Sequence, residues 1–467
     1  MKTVRTLFLI LSIITGSHAF SMGQSVILDY KKKAHALTKR GFYYSALPYL
    51  LSYLEVEDRI DKQTKQDIFR IVLKTGTLAF ETMAVEDLLR KNSTPLKYVA
   101  AMKLIKMGQL TRAKRVLEGF PKNHRFSLEA YYSLGAILSY SNDKGATKAL
   151  NTCIETSELL KEKTKSKKLK RYYTLVEEKC EIYKARNSYA LDNFVMAEKE
   201  FDNIPKRSYL WPKTLLERAW TNYHLKDYNR TLGLLVTYKS PLLKSYYFPE
   251  GSYLEALSFY KLCLWEDALS VIESYHKLYH PKAVTLSKIL KKNRNSKTYF
   301  YNLMRGEMSA KEKKNPFIRN LVTQIRKSIK YNVDHLDIVK AKRELKILKE
   351  RKYKKVYQNE LIEQINWRVE SLNYFIKKEM FDFINQMNKF SRELLKLRLE
   401  IISKQKHLVY SNKSLVSDRG RGSSDNVNRK ATEQFYDFFG EFWADELGSY
   451  SFGLKSNCKL VDKKSRE

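Results

Sequence analysis

Apolar residues in the first half of the chain recur with the spacing of paired amphipathic helices. In the clearest unit, residues 253–260 have the pattern of a first helix, and a second helix opens at Trp265. Ala268 then stands where the two helices cross, Ile272 follows one turn later, and Pro281 is expected to end the unit. A small residue at the crossing lets the two helices approach closely. The pattern therefore predicts two antiparallel helices joined by a short turn.

This unit repeats along the chain. The small residue of the second helix recurs at Ala113, Ala146, Ala197, Thr231 and Ala268. The steps measure 33, 51, 34 and 37 residues, and three of them lie near the period of about 34 found in helix-pair repeats. The long step contains a charged stretch, residues 161–170, that is expected to extend a helix, whereas residues 54–97 fit the repeat poorly. The residues expected in the repeat core are Ala46, Gly108, Ala113, Leu134, Gly135, Ala146, Ala197, Phe201, Ala219, Ala256 and Ala268.

The succession resembles the tetratricopeptide repeat (TPR) family over about residues 28–281. The resemblance implies a solenoid of helix pairs that holds a peptide or protein partner. Residues 219–233, 248–256 and 439–450 are also similar to exported TPR proteins of deltaproteobacteria, some of which are associated with envelope and gliding-motility machinery. An unrelated helical bundle is the alternative, and it would place the same small residues in its core.

A heptad pattern follows the repeats. From Val369 to Ile401, ten apolar residues step by three or four positions, and neither Pro nor Gly interrupts them. This spacing predicts long heptad-patterned helices over residues 334–408. The apolar seam could pair with a second chain or with the preceding helix, predicted at Asp337–Tyr357. Aromatic residues on the seam are bulky for a parallel dimer. We favour an intrachain hairpin, because a partner helix is available in the same chain.

The C-terminal part is expected to contain a flexible polar linker, residues 409–430, and a segment rich in aromatic and acidic side chains, residues 431–467. Such a short segment cannot bury a core of its own. We expect it to dock, either on the chain's own helices, which we favour, or on a partner, and its acidic residues would suit a basic groove. The candidate docking residues are Phe439, Trp443, Asp445, Glu446 and Tyr450.

Composition supports a helical protein with a substantial core. Of 467 residues 43% are hydrophobic, and the 16 Gly and nine Pro are too few for the many turns of a β-protein. The predicted fold class is all-α. It comprises a TPR-like α-solenoid over residues 20–281, then the long helical hairpin or coiled coil, and the short docking segment.

Residues 1–19 have the features of a secretory signal peptide. Lys2 and Arg5 precede an apolar run, residues 7–14, and Ala19 closes a small-x-small pattern. The run is shorter than the roughly 20 apolar residues that a membrane-spanning helix needs. We therefore predict cleavage near Ala19 and a periplasmic or secreted mature protein.

The chain is strongly basic, with 87 Lys and Arg against 51 Asp and Glu and a formal net charge of +36. Residues 281–330 alone hold 14 Lys or Arg against Glu307 and Glu312, and a basic helical extension is predicted over residues 282–333. Outside the cytoplasm the abundant anions are membrane headgroups and cell-wall polymers, which makes nucleic acid an unexpected partner. A generally basic proteome would explain the charge equally well.

The four cysteines, Cys153, Cys180, Cys263 and Cys458, contain no C-x-x-C spacing, which argues against zinc or a redox motif. An oxidising compartment permits a bridge between Cys153 and Cys180. Buried free thiols are nevertheless the favoured prediction, since free cysteine commonly packs as a small apolar residue.

No motif for catalysis or cofactor binding is found. A Gly-rich phosphate loop, G-x-S-x-G and H-E-x-x-H are all missing from the sequence, and His276 and His280 are best explained as a polar helix end. We predict no enzyme activity and no catalytic, cofactor-binding or metal-binding residues. The expected function is an exported TPR-type scaffold for protein partners in the cell envelope. The alternative is a helical protein that binds or hydrolyses peptidoglycan, although no glutamate stands out in an enclosed apolar setting.

Overall fold

A computed structural model shows that the chain is all-α. The described residues are 24–141, 143–243, 246–410, 426–427 and 440–458. They contain no strand, and the predicted all-α fold class is confirmed. The predicted signal peptide, residues 1–19, and nearly all of the predicted linker, residues 409–430, lie outside the described residues.

Nineteen α-helices occupy the described residues. In chain order they are α1 (Gln24–Lys39), α2 (Tyr43–Val56), α3 (Lys62–Thr75), α4 (Val85–Arg90), α5 (Thr94–Lys106), α6 (Leu110–Glu118), α7 (Ser127–Tyr140), α8 (Ala146–Lys163), α9 (Lys167–Ala190), α10 (Phe194–Asp202), α11 (Trp211–His224), α12 (Tyr228–Val236), α13 (Pro249–Lys261), α14 (Trp265–Lys292), α15 (Tyr299–Met304), α16 (Ala310–Lys314), α17 (Pro316–Arg326), α18 (Ile329–Glu350) and α19 (Lys355–Tyr410). Short 3₁₀ helices lie at Thr77–Phe80, Thr237–Lys239 and Pro241–Leu243.

One type of turn joins most of the helix pairs. Pairs α1/α2, α5/α6, α9/α10, α11/α12 and α13/α14 each place a residue of positive φ in the turn. These residues are Gly41 (83°), Gly108 (75°), Asp192 (57°), Lys226 (63°) and Cys263 (56°). The next amide then donates to a carbonyl one turn back, as from Gln109 N to Leu104 O at 2.9 Å. This is the Schellman arrangement, which satisfies the last carbonyls of a helix and reverses the chain.

The residues expected in the repeat core are buried, with one exception. The six alanines from Ala113 to Ala268 in that set are fully buried, and Ala46, Leu134 and Phe201 are at most 7% exposed. A Cβ on Gly135 would lie 2.6 Å from Leu150 Cδ2, so this glycine allows α7 and α8 to approach closely. The expectation for Gly108 is wrong. This glycine is exposed, and the turn uses it because left-handed backbone carries no steric penalty for glycine.

The chain forms two compact units. Unit 1 comprises residues 1–130 and 335–368, and unit 2 comprises residues 131–334 and 369–467. Helix pairs α1/α2 and α5/α6 belong to unit 1. Pairs α9/α10, α11/α12 and α13/α14 belong to unit 2, together with the basic region of α15–α17 and most of α19.

Within unit 1 the start of the long hairpin packs on α2. The buried carboxylate of Glu344 accepts hydrogen bonds from Ser45 N at 2.7 Å and from Ser45 Oγ at 2.6 Å. Residues 351–354, with Lys352 at φ 51°, form the turn between α18 and α19. The hairpin is therefore present, but the helix predicted at Asp337–Tyr357 is interrupted by this turn.

Within unit 2 the heptad seam of α19 is buried by the chain itself. All ten seam residues of 369–401 are at most 9% exposed. The ring of Phe390 lies 5.5 Å from that of Tyr253 on α13, and Met387 O accepts a hydrogen bond from Tyr275 Oη on α14 at 2.7 Å. The seam thus packs within the chain, as favoured, but these contacts are with repeat helices α13 and α14 and not with the preceding helix predicted at Asp337–Tyr357.

Pro281 does not end the last repeat unit. Helix α14 continues through this proline to Lys292. Proline removes one helical hydrogen bond and favours a break or a kink. Tyr279 and Leu286, which are 5% and 0% exposed, are buried on either side, so tertiary packing holds the helix through the proline. The predicted repeat boundary at residue 281 falls inside a helix.

The charged stretch at residues 161–170 is also divided differently from the prediction. It does not extend a single helix, because α8 ends at Lys163 and Ser166 caps α9, accepting from Leu169 N at 3.4 Å. The long step in the repeat period arises instead from two long helices, with 18 residues in α8 and 24 in α9.

Two disulfides overturn the expectation of free thiols. Cys153 on α8 is bonded to Cys180 on α9, and Cys263 is bonded to Cys458. The first pair lies where adjacent helices cross, with Cα atoms 6.4 Å apart, which is within the range that a disulfide spans. The full burial of Cys153 and Cys180 is therefore explained by their bond to each other.

Candidate functional site

The C-terminal segment (440–458) lies along helices α11, α12 and α13 of unit 2. Apart from a turn at residues 444–448, it has almost no regular secondary structure. A Cβ added to Gly233 would collide with the carbonyl group of Tyr450, and one added to Gly448 would lie 2.8 Å from Trp211 Cζ2. The two glycines leave room for the segment's backbone to lie directly on the helices.

Apolar side chains of the segment join the core of these helices. Leu447 is 5% exposed and belongs to the same cluster as Trp211 and Leu215 of α11. Phe442 and Tyr450 pack at the edge of that cluster, with ring centroids 5.8 Å apart. Burying a side chain of leucine size stabilises a contact by about 1.5–3 kcal/mol. Leu447 is therefore the main apolar contact of the segment.

Asn229 binds the main chain of the segment. Its side-chain Nδ2 donates to Leu454 O at 3.1 Å, and its Oδ1 accepts from Leu454 N at 3.0 Å. Its main-chain oxygen accepts from Phe452 N at 3.0 Å. An amide side chain matches the donor and acceptor of one peptide residue, so this contact does not depend on the side chain that the peptide carries.

Basic side chains of α11 and of the loop before it also bind the main chain of the segment. Lys206 Nζ donates to Asp445 O and, at 3.2 Å, to Ser449 Oγ. Arg218 Nη1 donates to Gly448 O at 3.3 Å, while the same guanidinium is held by Glu198 at 2.8 Å. The expected basic groove is thus present in part, but these contacts go to main-chain oxygens and one hydroxyl group rather than to carboxylates.

The end of the segment is bound covalently. Cys458 is bonded to Cys263 in the turn between α13 and α14, and Asn457 N donates to Leu262 O at 2.9 Å. A covalent bond keeps the segment at high effective concentration near the helices even when weaker contacts open. The segment is therefore a tethered occupant of this surface.

The predicted docking residues contribute unequally. Tyr450 packs on the helices, and Asp445 contributes its carbonyl, whereas Trp443 is 59% exposed. Glu446 O accepts from Ser449 N at 2.8 Å within the turn. Phe439 lies outside the described residues.

Four residues that make much of the contact between the C-terminal segment and the helices were not predicted as docking residues. They are Leu447 and Gly448 of the segment and Asn229 and Gly233 of α12. The sequence could have suggested Leu447, as the apolar residue between the acids and Gly448. Main-chain contacts have no side-chain periodicity, so nothing in the sequence pointed to Asn229.

A second candidate site is an acidic cavity between α8, α9 and α10. Its volume is about 260 Å³. The lining residues are Asn151, Ile154, Glu155, Glu181, Lys184, Glu200 and Asn203. Lys184 Nζ lies 3.7 Å from Glu200, and Ser188 Oγ donates to the same carboxylate at 2.6 Å. The cavity is acidic although the chain as a whole is basic.

Glu181 is the titratable group of interest in the acidic cavity. Burial above all, together with the negative charges of Glu177 and Glu178, raises the pKa of its carboxyl group to about 7. A half-buried carboxyl group with such a pKa is protonated in a substantial fraction of molecules near neutral pH. It therefore has the property required of a general acid.

Comparison with known proteins gives no assignment. No protein-family model matches the chain, and no curated protein matches its sequence. None of the described helices combines the length and apolarity needed to cross a membrane. In the same described ranges, no three His, Cys, Asp or Glu side chains are grouped so that they could hold a metal ion.

Proposed function

We propose that this protein is an exported TPR-type scaffold that binds protein partners of the cell envelope through extended segments. The succession of helix pairs supports a repeat protein, and helical repeats commonly serve as binding surfaces. The chain's own C-terminal segment lying on α11–α13 supports the mode of binding. A partner segment would either replace this occupant or bind the neighbouring repeats in the same manner.

The contact of Asn229 with Leu454 carries the proposal. One side chain satisfies both main-chain polar groups of one peptide residue. A surface that binds in this way can hold an extended chain whatever side chains that chain carries. Specificity would then come from the apolar position that Leu447 fills, next to Trp211 and Leu215. A partner of matching chemistry is an extended segment with one large apolar residue.

Two disulfides support export. Such bonds form and persist in oxidising compartments and are rare in the cytosol of most organisms. Cys153–Cys180 joins adjacent helices, and Cys263–Cys458 fixes the C-terminal segment. Together with the signal-like residues 1–19, they favour a periplasmic or secreted protein. Anionic membranes or cell-wall polymers are further candidate partners for the basic region of α15–α17.

Photo-crosslinking in intact cells tests the proposal. A photoreactive phenylalanine analogue replaces Tyr228, which precedes Asn229, and a matched variant carries it at Tyr374, a residue of α19 that is 67% exposed. We expect light-dependent bonds from position 228 to a small set of envelope proteins and far fewer from position 374. Bonds from position 228 to the chain's own C-terminal segment alone would contradict partner binding at this surface.

The same sample tests export. The mature N-terminus, read by mass spectrometry, is expected to be Phe20. An intact Met1 in a cytosolic fraction would overturn the export part of the proposal and would leave the binding surface unaffected.

Glu181 supports a second candidate function, hydrolysis of cell-wall glycan. Glycosidases use one carboxylic acid that is protonated near neutral pH and a second carboxylate close by. Glu155 and Glu200 line the same cavity as Glu181 and are the candidates for the second role. We favour the scaffold, because a volume of about 260 Å³ is small for a glycan chain.

Release of soluble fragments from purified cell wall tests this candidate. Hydrolysis that is lost in Glu181→Gln and retained in Asn203→Ala would support it. A preparation that is inactive from acidic to mildly basic pH would exclude it and would favour the scaffold.

A further inference from the structure

A second cavity lies within unit 1, between α1 and the turn that joins α18 to α19. Its volume is about 490 Å³, and its lining comes from residues 32–40 and 351–357 only. Six of its ten lining residues are basic and none is acidic. The basic residues are Lys32, Lys33, Arg40, Arg351, Lys352 and Lys354. We call this site the basic cavity.

Most of the charge in the basic cavity has no carboxylate partner. Lys33 is paired with Asp29 at 2.6 Å. For the other five cations, no carboxylate in the described part of the chain lies within ion-pair distance. Like charges gathered around one space repel each other, and a multiply charged anion would relieve that repulsion. The cavity is therefore suited electrostatically to a polyanion.

Aromatic contacts hold the walls of the basic cavity in place. The ring of Tyr353 lies edge-on to Phe42 at 5.2 Å, and the ring of Tyr357 lies edge-on to Tyr49 at 5.5 Å. The Arg40 guanidinium lies 6.0 Å from the Tyr353 ring centroid. Packing of this kind restricts the two tyrosine rings before a ligand arrives, which reduces the entropy lost on binding.

The start of α19 adds further anion-binding groups. Lys354 immediately precedes this 56-residue helix, Tyr357 lies in its first turn, and that turn contains no acidic residue. The first amide groups of a helix have no intrahelical acceptor and favour negative charge. The start of α19 and the cationic side chains therefore both favour an anion.

We propose that the basic cavity binds a ligand carrying several phosphate groups, either a phosphorylated lipid headgroup or a soluble polyphosphate. Arg40, in the turn after α1, and Arg351, in the α18–α19 turn, both line the cavity, and a guanidinium group can bind two phosphate oxygens at once. A volume of about 490 Å³ is within the usual range for small-molecule sites and exceeds the needs of a single phosphate. This site is separate from the α11–α13 surface, and it does not depend on the proposed scaffold function.

Titration calorimetry of the full chain with inorganic tripolyphosphate at near-physiological salt tests the proposal. We expect one saturable site. Arg40→Gln/Arg351→Gln should weaken binding at least about tenfold, because each charge-assisted hydrogen bond lost typically costs that factor. The matched control is Arg59→Gln/Arg115→Gln, two exposed arginines of unit 1 outside the cavity, for which less than about a twofold change is expected.

Vesicles distinguish the two sources of phosphate. Flotation uses neutral phospholipid vesicles with and without phosphatidylinositol bisphosphate, whose headgroup carries several phosphate groups. Bisphosphate-lipid-dependent binding that tripolyphosphate displaces, and that Arg40→Gln/Arg351→Gln abolishes, assigns the site to a lipid headgroup. Saturable tripolyphosphate binding without vesicle binding assigns it to a soluble polyphosphate.

The control pair decides whether the basic cavity is a specific site. If Arg59→Gln/Arg115→Gln weakens binding as much as the cavity variant, attraction by the net charge of +36 explains the binding and the proposal is overturned. Heats that never saturate would overturn it as well. Thermal melting of both double variants verifies that they remain folded.

Discussion

The side-chain amide of Asn229 hydrogen-bonds both the N–H and the C=O of Leu454, at 3.0 and 3.1 Å, although 225 residues separate them in sequence. The same asparagine accepts from Phe452 N through its main-chain oxygen. One residue near the start of α12 therefore binds two alternate positions of an extended chain. The C-terminal segment is therefore bound through main-chain contacts that an extended peptide could also make.

Asn229→Ala should loosen the C-terminal segment without unfolding the helices. Two hydrogen bonds to the segment are lost, each with a net value of about 1 kcal/mol. Hydrogen exchange in residues 446–457 is expected to accelerate about tenfold or more, while the helices keep their protection. Asn388→Ala, at an exposed position of α19, is the matched control and should leave exchange in the segment unchanged. Unchanged exchange in Asn229→Ala would refute the role of this contact.

Gly233→Ala should displace the C-terminal segment and slightly favour its own helix. The new Cβ would occupy the position of the Tyr450 carbonyl group, whereas alanine is a better helix former than glycine by about 1 kcal/mol. We expect faster proteolysis of the segment and no loss of helical circular dichroism.

Gly251→Ala on α13 is the control for Gly233→Ala. Its new Cβ would meet nothing closer than Leu235 Cδ2 at 3.6 Å. Equal proteolysis of the two variants would mean that the segment does not need the close approach at Gly233.

The two disulfides should differ in what they stabilise. Replacing Cys153 and Cys180 by alanine opens a loop of 27 residues between α8 and α9, which should cost about 3–4 kcal/mol of global stability. Cys458→Ser opens a loop of 195 residues, which by the same dependence on loop length should cost about 5 kcal/mol of global stability, and it also frees the end of the C-terminal segment. Denaturant unfolding measures the first effect and limited proteolysis of the segment measures the second, in parallel on both variants. Equal proteolysis of the segment in the two variants would contradict the role of Cys458 as its tether.

The stability of unit 2 should depend on pH through Glu181. Its pKa rises from 4.5 to about 7 on folding, so between these values the folded chain binds more protons at this carboxyl group than the unfolded chain does. The contribution to stability is therefore lost as pH rises through this window. Wild type should lose more thermal stability than Glu181→Gln between about pH 5 and about pH 8. Asn203→Ala removes a neutral cavity residue and should keep the wild-type pH dependence.

The helix pairs were predictable because their cause is local. Small residues such as Ala113 and Ala197 must lie where two helices cross, and their spacing is visible in a single sequence. The heptad seam was visible for the same reason. The helices that cover the seam were not predictable, because periodicity identifies a buried face and does not identify the face that covers it.

The errors arise where tertiary contacts override local preference. Pro281 carries a strong local signal for a helix end, yet packing around Tyr279 and Leu286 carries α14 past it. Spacing alone did not reveal the bond from Cys263 to Cys458, which are 195 residues apart. The basic cavity escaped notice because its cations come from two separate stretches, neither of which is unusual in so basic a chain.

The disulfide between Cys263 and Cys458 has a consequence for the order in which the protein matures. Helices α11–α13 are synthesised long before the segment that covers them, because 195 residues separate the two bonded cysteines. During that interval Trp211 and Leu215 lack their contact with Leu447, and Asn229 has no Leu454 to bind. A newly made chain therefore presents these helices uncovered, until the segment docks and the disulfide forms. Under the proposed function, a partner segment that arrives early competes in time with the oxidation step for the same helices.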